Sequence, residues 1–138
     1  MQNRYNTLTS DRLKSLAAQI SYQASTIKNG GKNMAFQFTD ANFKKEALES
    51  NIPVLVDFYA DWCGLCKAMT PVIREVAQST EGNARVVKID IDKNQRAAQA
   101  YGISGVPTFI LFKQGKILWR HSGMIDKKTL LSVITQNA

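Results

Sequence analysis

Residues 54–60, Val-Leu-Val-Asp-Phe-Tyr-Ala, are an almost unbroken apolar and aromatic run. A short continuous run of this kind, without polar alternation, predicts a central strand buried on both faces of a sheet. Asp57 is the anomaly inside it. A chain with such a strand must cover two sheet faces, which a layered α/β arrangement does with helices on either side.

The segments around that strand supply the layers. Phe36 and Phe38 alternate with polar neighbours and predict a short strand. Thr39 or Asp40 can cap a helix over about 41–50, where Phe43, Ala47 and Leu48 make an apolar stripe. Asn51 closes it, and Ile52-Pro53 cannot continue it. Residues 63–79 read as a helix with Cys66, Met69, Val72, Ile73, Val76 and Ala77 on its apolar side, and with Pro71 inside it, which should kink it. Gly82-Asn83 marks a turn, Arg85–Asp90 a strand, and Asn94 the cap of a helix to about Tyr101. Gly102, Gly105 and Pro107 crowd a loop. Two strands, 108–113 and 116–121, join through Gln114-Gly115, a two-residue hairpin. Asp126 caps a last helix through Leu130, Leu131 and Ile134. The order β-α-β-α-β-α-β-β-α predicts parallel pairing through the helical connections and an antiparallel edge at the hairpin. The fold class is α/β, a mixed central sheet flanked by helices on both faces.

The first 33 residues are different. They carry five basic groups, Arg4, Arg12, Lys14, Lys28 and Lys32, against Asp11 alone, so they hold +4 of the chain's +7. Leu13, Leu16, Ala17 and Ile20 recur at helical spacing, but a stripe this short predicts at most a marginal helix. Gly30-Gly31 beside Asn29 is a linker signal. The segment lacks the apolar core of a signal peptide. An organelle transit peptide, an appended leader with the native sequence beginning at Met34, and a disordered extension all stay open. The division expected is an N-terminal extension over 1–35 and a folded domain over 36–138. The other 105 residues are close to charge balance, with 13 basic and 10 acidic groups and no basic run longer than two. That distribution argues against nucleic acid as a partner. No apolar run is long enough to span a bilayer.

The local signal that carries chemistry is Trp62-Cys63-Gly64-Leu65-Cys66-Lys67, placed after a buried strand and opening a helix. A helix start has free N–H groups and the positive end of the dipole, so a thiolate at Cys63 is favoured there. Cys66 follows one turn later, close enough to form a disulfide with it. One CxxC is also half of a zinc site, but zinc takes four ligands. The chain offers no third cysteine and only His121. A metal shared between two chains, a structural disulfide and two inert thiols stand as alternatives. CxxC beside βαβ structure favours redox chemistry.

Here the sequence resembles the thioredoxin family, over nearly all of residues 36–138. The 54–60 strand looks like the family's core strand with its buried aspartate. Trp62-Cys63-Gly64-Leu65-Cys66-Lys67 looks like the family's WCGPCK box with one change. Pro71 stands where the family has a helix-kinking proline, and Lys88 and Asp90 in the place of its K-x-D strand. Tyr101-Gly102-Ile103-Ser104-Gly105-Val106-Pro107-Thr108 resembles the segment ending in the cis-proline. Phe112-Lys113-Gln114-Gly115 and Gly123 match the hairpin and a rim glycine.

The resemblance implies a thioredoxin fold and a thiol–disulfide oxidoreductase that reduces protein disulfides. It makes Cys63 the nucleophile, Cys66 the resolving thiol, Asp57 a buried proton acceptor and Lys88 its modulator. It places Trp62, Gly64, Leu65, Val106, Pro107, Gly123 and Met124 on the substrate-binding rim. It implies no cofactor beyond the Cys63–Cys66 disulfide, protein disulfides as substrates and an NADPH-dependent thioredoxin reductase as electron donor. With no heptad or sticky helix in the sequence, the default is a monomer, and the expectation is a cytoplasmic protein that holds no metal and engages neither nucleic acid nor membrane. A disulfide oxidase or isomerase in an oxidising compartment, and a non-catalytic binding subunit, are the competing readings. His121, two residues before Gly123, either flanks the rim or is an edge histidine without a role.

Leu65 departs from the family's proline. It restores an N–H and backbone freedom between the sulfurs. A donor there favours the thiolate, so the couple should be less reducing than with proline, while Asp61 opposes the effect.

Overall fold

The computed structural model describes residues 36–138, and the extension expected over 1–35 lies outside the described residues. Strands β1 (Phe36–Phe38), β2 (Val54–Tyr59), β3 (Arg85–Asp90), β4 (Thr108–Lys113) and β5 (Lys116–Ser122) form one sheet in the order β1-β3-β2-β4-β5. The apolar run therefore occupies the centre, and Val54, Leu55, Val56 and Phe58 are fully buried.

Among the described residues, four helical segments flank the sheet: α1, which starts as Asp40–Phe43 and continues through Lys44–Leu48, α2 (Gly64–Ser79), α3 (Gln95–Ala100) and α4 (Lys127–Gln136). On one face Leu55, Val86, Phe109 and Leu111 pack with Met69, Ile73 and Val76 of α2 and Leu130 and Ile134 of α4. On the other, Phe43 of α1 lies 6.4 Å from Phe58, 5.8 Å from Phe112 and 5.7 Å from Tyr101 between ring centroids. Each fully buried Leu or Phe contributes on the order of 1.5–3 kcal/mol. Both faces are therefore closed by apolar side chains, and Asp57 stands among the first group by strand alternation.

Two expectations need correction. The helical connections predict parallel pairing throughout, and β1, β2 and β3 are indeed parallel. β4, which follows α3, instead runs antiparallel to β2. β3 ends at Asp90 beside Tyr59, and β4 begins at Thr108 beside Phe58, so the chain re-enters the sheet at the end where it left. A helix between two strands does not by itself fix their relative direction, because the 17 residues from 91 to 107 can lead to either end of the sheet. The second correction concerns α1, expected as a regular helix over about 41–50. Its latter part, Lys44–Leu48, is π-helical. Arg85 Nη1 donates to the Glu46 carbonyl at 3.4 Å and pairs with its carboxylate at 3.1 Å, so a donor from outside competes for the helix ladder.

The hairpin forms as expected. Gln114 and Gly115 have φ of 52° and 80°, the two positive values a type I′ turn requires.

Candidate active site

β2 ends beside the start of α2, and the link between them carries the cysteines. Cys63 is the N-cap of α2, in extended conformation. Its N–H donates to Ala60 O at 3.1 Å, which folds the chain over the strand end. Its Sγ takes the place of a capping oxygen and accepts the Cys66 N–H at 3.1 Å. The helix start thus aims a donor at the atom on which charge develops during thiol chemistry. The thiol faces Val106 O at 3.6 Å. Both cysteines are free thiols and 5–6% exposed, packed with Ala60, Tyr59, Ile91 and Val106. Burial, then the hydrogen bond with Cys63, pushes the Cys66 thiol up to about 12. Pro71 lies inside α2, and just before it the Thr70 hydroxyl donates to Cys66 O at 3.3 Å.

Asp57 is 2% exposed, and its Oδ1 has no hydrogen-bond partner. Burial raises its carboxyl from 3.8 to about 7, against the opposing charge of Lys88. Lys88 is directly opposite on β3, with its ammonium 4.3 Å from the centroid of the Tyr59 ring.

The expected rim residues come from three segments: the box itself, the cis-proline loop and the turn after β5. Trp62 (68% exposed), Leu65 (50%) and Met124 (52%) present apolar surface to solvent. Gly64 is exposed, and a Cβ there would meet nothing within 4 Å, so glycine keeps the surface low. The Val106–Pro107 bond is cis. Gly123, at φ 97°, donates its N–H to Pro107 O at 2.8 Å. The antiparallel β4 makes this assembly possible: Thr108 opens it opposite Phe58, so Pro107 arrives where β2 delivers Cys63. The donor into Cys63 Sγ is the amide of Cys66, not that of Leu65.

Sequence reasoning missed several contributors. Asp92 accepts from Trp62 Nε1 at 2.8 Å. Both strands end at the same sheet edge, so the loop after β3 was a legible source of partners for the box, though nothing singled out Asp92. Thr108 Oγ1 reaches Gly105 O at 2.6 Å and the Ser122 hydroxyl at 3.0 Å, tying the cis-proline segment to β5. His121 stacks on Trp119, 5.9 Å between ring centroids, and its Nε2 bonds Met124 O at 3.2 Å. It therefore ties β5 to the turn that carries Met124. Among the described residues no group of three or more His, Cys, Asp or Glu side chains can hold a metal ion, and no helix is long and apolar enough to cross a membrane.

Comparison with known proteins gives the same picture. The Thioredoxin family model matches residues 34–136. The thioredoxin of Rickettsia felis is 45% identical over 104 residues, covering 75% of this chain and 99% of that protein. Thioredoxin 1 of Nostoc sp. is 44% identical over 103 residues, covering 75% and 96%. Among solved structures, a mutant thioredoxin from Halobacterium salinarum NRC-1 matches with a TM-score of 0.68 and 36% identity, over 75% of this chain and 90% of that one. A family model spanning most of the chain, with relatives at this identity covered almost end to end, places the chain in the thioredoxin family.

Proposed function

We propose that Cys63 is the attacking sulfur of this thiol–disulfide oxidoreductase, a protein-disulfide reductase, and that Cys66 is its resolving thiol. The Cys63 thiolate attacks one sulfur of a target disulfide and displaces the other as a thiolate, which takes a proton. Cys66, still a thiol because burial holds it near 12, must then lose its proton. Asp57, with Oδ1 unpartnered and its carboxyl poised near 7, is the acceptor, with Lys88 adjusting its charge. The Cys66 thiolate attacks Cys63 sulfur and displaces the second target sulfur as a thiolate, which takes up the proton that Asp57 accepted. The target gains two electrons and two protons, and Cys63–Cys66 becomes the disulfide.

The observation that carries this reading is the capping geometry: Cys63 Sγ receives the Cys66 N–H at 3.1 Å while facing the Val106 carbonyl beside a cis-proline. Trp62, Gly64, Leu65, Val106, Pro107, Gly123 and Met124 form the docking surface for an extended substrate. The dithiol itself is the only redox group the cycle uses, so no metal or other cofactor enters it. Electrons return from an NADPH-dependent reductase. The catalytic domain is 36–138, with 1–35 as an extension, and it works as a cytoplasmic monomer on proteins rather than on nucleic acid or membrane.

Insulin reduction with dithiothreitol tests the assignment. Cys63→Ser abolishes turnover. Cys66→Ser accumulates a target-linked mixed disulfide through Cys63. Full activity of Cys63→Ser would mean that the chain acts by docking alone.

A further inference from the structure

Arg120 lies on β5 opposite Ile110 of β4. Strand alternation puts it on the face that carries Phe112 and Tyr101. From there its guanidinium donates to two successive carbonyls, Tyr101 O and Gly102 O, the second at 3.0 Å. These two carbonyls lie just past the end of α3. That helix closes in a Schellman pattern: Gly102, at φ 60°, donates to Gln99 O at 3.1 Å, and Ile103 N–H to Ala98 O at 2.9 Å. The carbonyls beyond the motif have no helical donor left. A planar fork matches two adjacent acceptors, and its positive charge is favoured at a helix C-terminus.

The chain between α3 and β4 is thus tied to β5 at both ends. Arg120 holds its beginning, and Gly123 N–H to Pro107 O and the Thr108–Ser122 hydroxyl pair hold its end. Residues 103–106 span the gap, and the last of them puts its carbonyl 3.6 Å from Cys63 Sγ. Moving this segment moves the groups that face the reacting sulfur.

We propose that Arg120 is a positioning residue for substrate docking: its fork holds the segment 101–107 in place against Cys63, so that an extended protein chain can lie along it. This rests on the reading of Val106 and Pro107 as part of the docking surface. The role needs the fork and not charge alone, because a lysine ammonium lacks the planar geometry for two acceptors at once.

The test compares R120A and R120K with wild type on insulin, which must lay a chain on the segment, and on dithiobis(nitrobenzoate), a small disulfide that need not. Amide hydrogen exchange of residues 103–106 reports the clamp directly. In R120A the KM for insulin rises about three- to tenfold with kcat nearly unchanged, as expected for loss of a binding contribution. The small disulfide reacts as in wild type, exchange at 103–106 quickens, and R120K falls between. Unchanged exchange in R120A removes the clamp and overturns the proposal. Faster exchange with an unchanged insulin KM also overturns it, as do equal losses on both disulfides, which give Arg120 a general structural role. Failure of the docking reading itself looks different: wild type would then reduce the small disulfide but not insulin.

Discussion

Asp57 and Lys88 face each other across the β2–β3 pair, in register, yet Oδ1 of Asp57 is without a hydrogen-bond partner and the ammonium of Lys88 lies over Tyr59. The buried carboxyl thus has an opposite charge nearby while its Oδ1 stays unsatisfied. Desolvation wins, and the folded carboxyl titrates near 7, against 3.8 for an ordinary one.

Stability should therefore fall as pH rises through that interval. Between 3.8 and 7 the folded protein keeps a proton that the unfolded chain has released. Above 7 the full cost is present, on the order of 4 kcal/mol. Asp57→Asn removes the ionisation. It should be more stable than wild type at pH 8 by a few kcal/mol, and the two should converge near pH 4. Urea unfolding across this range checks the sign, and parallel curves for the two proteins would rule it out. The same variant should resolve mixed disulfides more slowly, seen as a longer-lived Cys63 adduct at neutral pH.

Leu65 occupies the position in which the family carries proline, one residue before the amide that bonds Cys63 Sγ. Leu65→Pro removes an N–H from the first turn of α2 and restricts the backbone there. The couple should become more reducing by about 10–30 mV, since 30 mV corresponds to about 1.4 kcal/mol for two electrons. Equilibration with glutathione measures it. A wild-type potential equal to or more negative than that of the variant contradicts the expectation.

The Trp62–Asp92 bond holds a largely exposed indole in one orientation beside the thiols. Asp92→Ala should leave the fold intact and release the ring. Protein-disulfide reduction should weaken through KM by about twofold to fivefold, while a small disulfide is little affected. Lower fluorescence anisotropy of Trp62, measured in a Trp119→Phe background, would report the freed ring.

Gly115 is constrained twice. Its φ is 80°, and a Cβ there would stand 3.3 Å from the Leu48 carbonyl. Gly115→Ala should cost about 1–2 kcal/mol of stability without touching the redox centre. Thermal unfolding and insulin reduction, measured together, should separate the two: a lower Tm, with normal turnover well below it.

The legible parts of this fold are those with local causes. The 54–60 run, the box opening a helix and the Gln114-Gly115 turn all carry their instructions within a few residues. The direction of β4 does not, because a connection of 17 residues with a short helix can lead to either end of the sheet. The cysteines and Asp57 stood out as anomalies in their segments. Asp92 and Arg120 did not, since an exposed acid and an exposed base on a surface loop and an edge strand look like any others until the sheet brings them to Trp62 and Tyr101. His121 has the same history: its contact with the Met124 carbonyl depends on the turn after β5.

The reversal of β4 also bears on when the protein becomes competent. The dithiol and its capping amide belong to one short stretch and can form as soon as α2 does. The wall opposite them arrives from a part of the chain more than forty residues later, and only once β4 has docked antiparallel beside β2. A partly folded chain can therefore own reactive sulfurs without owning a surface to choose their targets. Selective disulfide reduction, as distinct from bare thiol reactivity, is a signature of completed topology.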